Sequence, residues 1–252
     1  MTDALYLGDP ERVRTAAVGG VFLLEGDEAR HAATVKRTRP GETILVSDGA
    51  GAGVRVEVTE VAGSRVSGTV LEVLGAQGSS RYQWHVVQGL AKGDRSELSL
   101  ELMTEVGVDE VAAWQSRRSI VKWDAKADKA LAKWRSTARE TAKQSRRLSV
   151  PRVHPAVLTP RTVLDYLRGV GGVVLVAHEE AEQSIASVEL PSEGPVTVLV
   201  GPEGGISPEE ITELRELGAV PVLISDGVLR ASTAGAVALV QLKLLAEQAA
   251  GR

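Results

Sequence analysis

Apolar and polar positions keep one rhythm up to about residue 74 and another from residue 82 onward. The first part carries short alternating runs: Val21-Phe22-Leu23-Leu24, Glu42-Thr43-Ile44-Leu45-Val46, Val54-Arg55-Val56-Glu57-Val58 and Arg65-Val66-Ser67-Gly68-Thr69-Val70. Alternation of this kind predicts half-buried strands. Asp48-Gly49-Ala50-Gly51 and Ala62-Gly63-Ser64 predict turns between them. Asp27 to Arg37 predicts a short helix that ends near Pro40-Gly41. Short strands in this number suggest a small β-barrel over residues 1–74. Gly75-Ala76-Gln77-Gly78-Ser79-Ser80 then predicts a linker.

The second part, 82–252, alternates strands and helices. Trp84–Gln88, Glu110–Trp114, Val173–Ala177, Val196–Val200 and Val220–Ile224 predict strands. Their apolar runs are nearly continuous, as in parallel strands covered on both faces. Asp94 to about Glu105, Ala125 to about Arg146, a segment from Ser207 and a last one through about Ala250 predict helices. The expected fold is therefore α/β, with a parallel sheet behind an N-terminal barrel.

Two loops stand out in this frame. Gly201-Pro202-Glu203-Gly204-Gly205-Ile206 joins a strand to a helix start at Ser207-Pro208-Glu209-Glu210. Ser207 suits the cap, Pro208 the first helical position, and the two glutamates the positive end of the dipole. Ligands in open α/β sheets sit at the C-terminal ends of such strands. The loop lacks a Gly-Lys-Ser/Thr sequence and is not a Walker loop. Glu203 either caps the following helix or faces a ligand. The second loop runs from Ser225 through Arg230 into an apolar helix. Arg230 either makes a salt bridge, to Glu203 or Asp226, or binds RNA or orients a substrate base. Ser232 and Thr233 are natural caps for the last helix.

Composition adds constraints. Over 252 residues, 43% are hydrophobic and 25% charged, so the chain has the material for a real core. With no cysteine there is no disulfide and no thiolate site. His85, His154 and His178 are scattered, so no metal site is expected. No apolar run reaches the length of a membrane span and no signal-peptide pattern opens the chain, so a cytoplasmic protein with no membrane partner is expected.

Charge changes the picture most. The net charge is −4, yet Arg117 to Arg152 holds twelve Lys or Arg against three acids, +9 net, which leaves −13 elsewhere. Lys122, Lys126, Lys129 and Lys133 share a helix face, and Arg139, Lys143, Arg146 and Arg147 follow. A one-signed face in an acidic protein points to phosphate contacts. Arg30, His31, Lys36 and Arg37 make a second basic spot on the barrel.

Taken together these motifs resemble the RsmE-type family of 16S rRNA uridine-N3 methyltransferases, in the SPOUT superfamily. The most specific parts are Val200-Gly201-Pro202-Glu203-Gly204-Gly205-Ile206-Ser207 and Val228-Leu229-Arg230-Ala231-Ser232-Thr233-Ala234. Gln88-Gly89-Leu90-Ala91-Lys92-Gly93-Asp94-Arg95, Arg118-Ser119 and Gln144-Ser145-x-Arg147 support them. Where the family usually has Leu-Gly in the last loop, this chain has Ile224-Ser225. The resemblance implies a PUA-like barrel followed by a SPOUT domain with a C-terminal trefoil knot, and a homodimer. It also implies S-adenosylmethionine as cofactor, and methylation of one uridine of 16S rRNA in the assembled small ribosomal subunit. By position, Leu199, Gly201, Pro202, Gly205, Ile224, Ser225, Val228, Leu229 and Ala234 would line the cofactor site. Arg230 would stabilise charge on the reacting base, with Glu203 or Asp226 as its proton acceptor. Arg30, His31, Lys36, Arg37, Arg118, Lys122, Arg139, Lys143, Arg146 and Arg147 would contact RNA. Two other readings stay open: a relative acting on transfer RNA or a ribose, and an RNA-binding protein without activity.

Overall fold

A computed structural model describes residues 3–75 and 81–250. Apart from Gly75, the expected linker lies outside the described residues. The chain divides into two compact units, Met1–Ser80 with Arg139–Val150, and Arg81–Ala138 with Pro151–Arg252.

The first unit contains β1 (Ala4–Leu7), α1 (Pro10–Thr15), β2 (Val21–Glu25), α2 (Gly26–Arg30), β3 (Thr43–Ser47), β4 (Gly53–Ala62) and β5 (Arg65–Leu74). They form one sheet in the order β1-β3-β4-β5-β2, and only the β1–β3 pair is parallel. Register shifts at Arg55/Val56 and Val58/Glu60 mark bulges that bend the long β4–β5 ribbon. The sheet curls over a core that includes Tyr6, Phe22, Leu24, Val46, Val54 and Val56. Among the described residues no ladder joins the edge strands β1 and β2. The helix expected up to Arg37 is α2 followed by a wider π turn over His31–Lys36. It stops where Arg37 turns left-handed, at φ 54°. The segment after residue 139 joins this unit through backbone and hydroxyl bonds: Val150 N–H donates to Gly49 O (2.9 Å) and Ser47 Oγ to Leu148 O (2.5 Å).

The second unit contains β6 (Tyr82–Gly89), α3 (Arg95–Glu105), β7 (Glu110–Trp114), α4 (Ala127–Gln144), β8 (Arg152–Val153), α5 (Thr162–Val170), β9 (Val173–Ala177), β10 (Gly194–Val200), α6 (Pro208–Glu216), β11 (Val220–Val222) and α7 (Ala231–Ala250). From Arg139 onward α4 counts with the first unit. The six strands are all parallel, in the order β11-β9-β10-β6-β7-β8. Val87, Ala112, Trp114, Val176 and Leu199 meet Val163 and Leu167 of α5 and Leu214 of α6 in one buried cluster.

Three expectations shift. α4 ends at Gln144 rather than Arg146, because Arg146 adopts φ 55° and breaks the helical path. β11 ends at Val222, so Leu223 and Ile224 belong to the loop. Ser232 and Thr233 lie inside the first turn of α7, whose first bonds return to the Arg230 carbonyl, so neither is its cap. No helix among the described residues is long and apolar enough to cross a membrane.

Candidate active site

The glycine turn after β10 is built by close approach. Val200 pairs with Gln88 of β6 on one side and with Ala177 of β9 on the other. A Cβ at Gly89 would stand 2.4 Å from the Pro202 nitrogen, so only glycine lets the two strand ends meet. Gly205, at φ +72°, then turns the chain toward α6. There the Ser207 hydroxyl accepts from Glu210 N–H (3.2 Å) and the Glu210 carboxylate accepts from Ser207 N–H (3.0 Å), a complete capping box. Glu210 is buried and also accepts from Arg117 N–H at 2.8 Å, which docks the loop after β7 onto the same turn.

A cavity of about 830 Å³ opens where β9, β10 and β11 end. Its walls come from Gly201–Ile206, from the loop Leu223–Arg230 and its continuation to Ala234, and from Ala177–Glu180 behind β9. Of the residues expected to line a cofactor site, Gly201, Pro202, Gly205, Ile224, Ser225, Val228, Leu229 and Ala234 do line it. Leu199 does not. Strand alternation turns its side chain into the buried cluster, and Val200 lines the cavity instead.

Arg230 is exposed at the cavity and makes no ion pair among the described residues. The expected bridges to Glu203 and Asp226 are absent there. Asp226 accepts instead from the Ser225 hydroxyl at 3.2 Å. Glu203 neither caps α6 nor meets Arg230: its Oε1 accepts from Lys92 N–H at 3.1 Å and faces Arg95 at 3.7 Å. Gln88, almost fully buried, donates from Nε2 to Gly89 O (3.1 Å) and to Ala231 O (3.2 Å). It thus ties the end of β6 to the residue after Arg230. Arg95, Arg118 and the His178–Glu180 segment also line the cavity. The sequence signal for that segment was available, since it follows a buried parallel strand.

Known proteins resemble this chain along most of its length. A family profile described as an RNA methyltransferase domain matches residues 78–243, and one described as an RNA methyltransferase PUA domain matches 24–71. Ribosomal RNA small subunit methyltransferase E of Mycobacterium bovis is 43% identical over 224 residues, covering 88% of this chain and 85% of that protein. The chain belongs to the ribosomal RNA small subunit methyltransferase E family. The Bacillus subtilis member is 30% identical, over 86% of this chain and 88% of its own. A crystal structure of the Neisseria gonorrhoeae member bound to S-adenosyl methionine superposes with a TM-score of 0.83 at 26% identity, covering 97% of this chain and 98% of that one.

In this family member the residues expected to meet RNA are spread over both units. In the first unit, Lys36 and Arg37 are exposed, while Arg30 pairs with Asp27 at 3.1 Å and His31 packs edge-on to Tyr6. Arg139 and Lys143 both reach Glu28, at 3.2 Å, and Lys143 is largely buried by the contact. Arg146 is exposed, and Arg147 is partly buried. In the second unit Lys122 is exposed, and Arg118 is exposed at the cavity. Lys133, from the expected cationic face, pairs instead with Glu97 at 2.9 Å. Glu209 sits in the first turn of α6. The Ser207 hydroxyl holds its carboxyl below the usual range, with Arg117 and Arg118 contributing less.

Proposed function

We propose that this RNA methyltransferase uses S-adenosylmethionine to methylate N3 of a specific uridine of 16S rRNA in the assembled small ribosomal subunit. The observation that carries the reading is the cavity itself, bounded by two glycine-bearing loops at the strand ends, with an arginine at its edge that makes no ion pair among the described residues. The residues present suit the cofactor. Gly205 and Gly227 line the cavity with no atom near the place a Cβ would occupy, so backbone groups are open to a ligand. Val200, Ile206, Leu229 and Ala234 supply apolar wall. The volume falls within the range of small-molecule sites. Bound there, S-adenosylmethionine would supply an electrophilic methyl group.

The chain's own residues do the rest. N3 of uracil carries a weakly acidic proton, and negative charge spreads to the ring oxygens as it leaves. Arg230, held in place through Gln88 and Ala231, faces that charge and lowers its cost. Glu203 positions Arg95 rather than accepting the proton, because its Oε1 already serves Lys92 N–H beside Arg95; the N3 proton passes to the Asp226 carboxylate of the second loop. Since N3 lies on the pairing edge, the target base enters unpaired. The order β11-β9-β10-β6 supports a knotted C-terminal segment, with α7 packed back onto β6 and β10. Val240 and Leu244, half exposed on α7, suit the homodimer that the resemblance implies.

The deciding experiment is transfer of labelled methyl to small subunits that lack the modification, with naked 16S rRNA alongside. N3-methyluridine in the assembled subunits is the expected product. Label in naked RNA alone would overturn the substrate state, and label in neither would overturn the assignment.

A further inference from the structure

Four arginines from four separate parts of the chain line the cavity: Arg95 from the first turn of α3, Arg118 from the loop after β7, Arg215 from the last turn of α6, and Arg230 just before α7. Glu179, Glu180 and Glu203 line it as well, which leaves a small excess of positive charge that an anionic ligand would offset. Arg118 makes no ion pair among the described residues, and Arg95 comes no nearer to Glu203 than 3.7 Å while about half exposed. These two are neighbours through the glycine turn. Glu203 faces Arg95, and at the next residue, Gly204, a Cβ would stand 2.6 Å from the Arg118 carbonyl oxygen.

The loop that carries Arg118 is firmly built. Arg117 N–H is held by buried Glu210, and Ser116 N–H donates to the buried Ser119 hydroxyl at 2.9 Å. Packing explains the serines and the glutamate. It does not explain a guanidinium left exposed over the cavity with no ion pair among the described residues.

We propose that Arg95 and Arg118 form a phosphate clamp, which grips the backbone of the target nucleotide while its base enters the cavity toward Arg230. The inference rests on the function proposed above and names the part of the RNA these two residues hold. Guanidinium forks suit the task, because they meet phosphate oxygens with two parallel hydrogen bonds. Glu203 then serves the clamp by orienting Arg95. The sequence motifs placed Arg118 among RNA contacts but gave Arg95 no role.

The test is RNA affinity across a series of salt concentrations for the unaltered protein, Arg95→Gln, Arg118→Ala and Arg118→Lys, with S-adenosylmethionine affinity measured by calorimetry on each. Removing one phosphate contact should lower the slope of log affinity against log salt by roughly 0.7 for a single strand. Arg118→Lys should keep the slope and lose affinity, since a point charge replaces a fork. Affinity for the cofactor should stay unchanged, which also reports that the turn is folded. Unchanged slopes in Arg95→Gln and Arg118→Ala, with methyl transfer by the unaltered protein intact, overturn the clamp alone. Weakened cofactor with RNA affinity retained also overturns it, by assigning the arginines to the cofactor. No methyl transfer to any RNA by the unaltered protein removes the proposed function and the clamp together.

Discussion

Arg230 shows what a single position does here. It stands outside every ion pair among the described residues, yet its neighbour Ala231 is held through the buried amide of Gln88. Replacing Arg230 by alanine should cut single-turnover methyl transfer by about a hundredfold to a thousandfold, as when one donor to developing charge is lost. Cofactor affinity from calorimetry should be retained, and unchanged turnover would remove the role. The residue was legible in the sequence because it interrupts an apolar helix start. The partners of Glu203 were not. Lys92 and Arg95 come to it only once β6 and β10 are neighbours, and no spacing in the chain encodes that adjacency. The same holds for Gly89, whose bareness is demanded by Pro202 across the sheet.

Among elements, α6 was legible almost to the residue, since its cap, its proline and its first-turn acids are all local signals. Ser207→Ala removes one half of the capping box and should cost about 1 kcal/mol in urea denaturation. The Arg118 loop should loosen with it, because Glu210 loses the partner that orients it toward Arg117. Helix α5 is absent from the elements expected above; Thr159 bonds to its first residue, Thr162, and Gly171 follows it at φ 68°. Its apolar residues Val163, Leu164, Tyr166, Leu167 and Val170 follow the helical period, so the signal for it is present in the sequence. The basic helix is legible in the sequence, but Lys122 and Lys126 lie before its first residue, Ala127, and its neighbours are not legible. Glu97 and Glu28, distant in the chain, take up Lys133, Arg139 and Lys143. Part of the apparent phosphate face is therefore already engaged within the protein.

Across the whole second unit, one row of the sheet sets a dependence on pH. Thr197, His85, Glu110 and Arg152 stand in register on β10, β6, β7 and β8. Burial pushes the His85 imidazole below its ordinary value, with Glu110 and Asp109 opposing the shift and Arg152 adding to it. Its Nδ1 finds no hydrogen-bond partner among the described residues. Glu110, almost fully buried, holds Arg152 and accepts from the Tyr166 phenol at 3.2 Å, and burial raises the phenol's pKa first and Glu110 next. The sign for His85 follows. The folded state binds its proton less readily than the unfolded chain does, so stability is full above about pH 6.5 and declines as pH falls from there toward the lowered folded value. Urea denaturation at stepped pH should show this decline, and His85→Leu should flatten it between pH 7 and 5.5. An equal decline in the variant would assign it to other groups.

The place of β10 between β6 and β9 has a consequence for how the protein is made. During synthesis β6, with its apolar Trp84 to Val87, emerges about a hundred residues ahead of the strand that will cover its edge. At roughly 5–20 residues per second, that edge waits about 5–20 s. An uncovered strand edge is a template for pairing with other chains. Yield in the cell should therefore depend less on how fast the finished sheet closes than on whether something shields the nascent β6 until Val196–Val200 has left the exit tunnel.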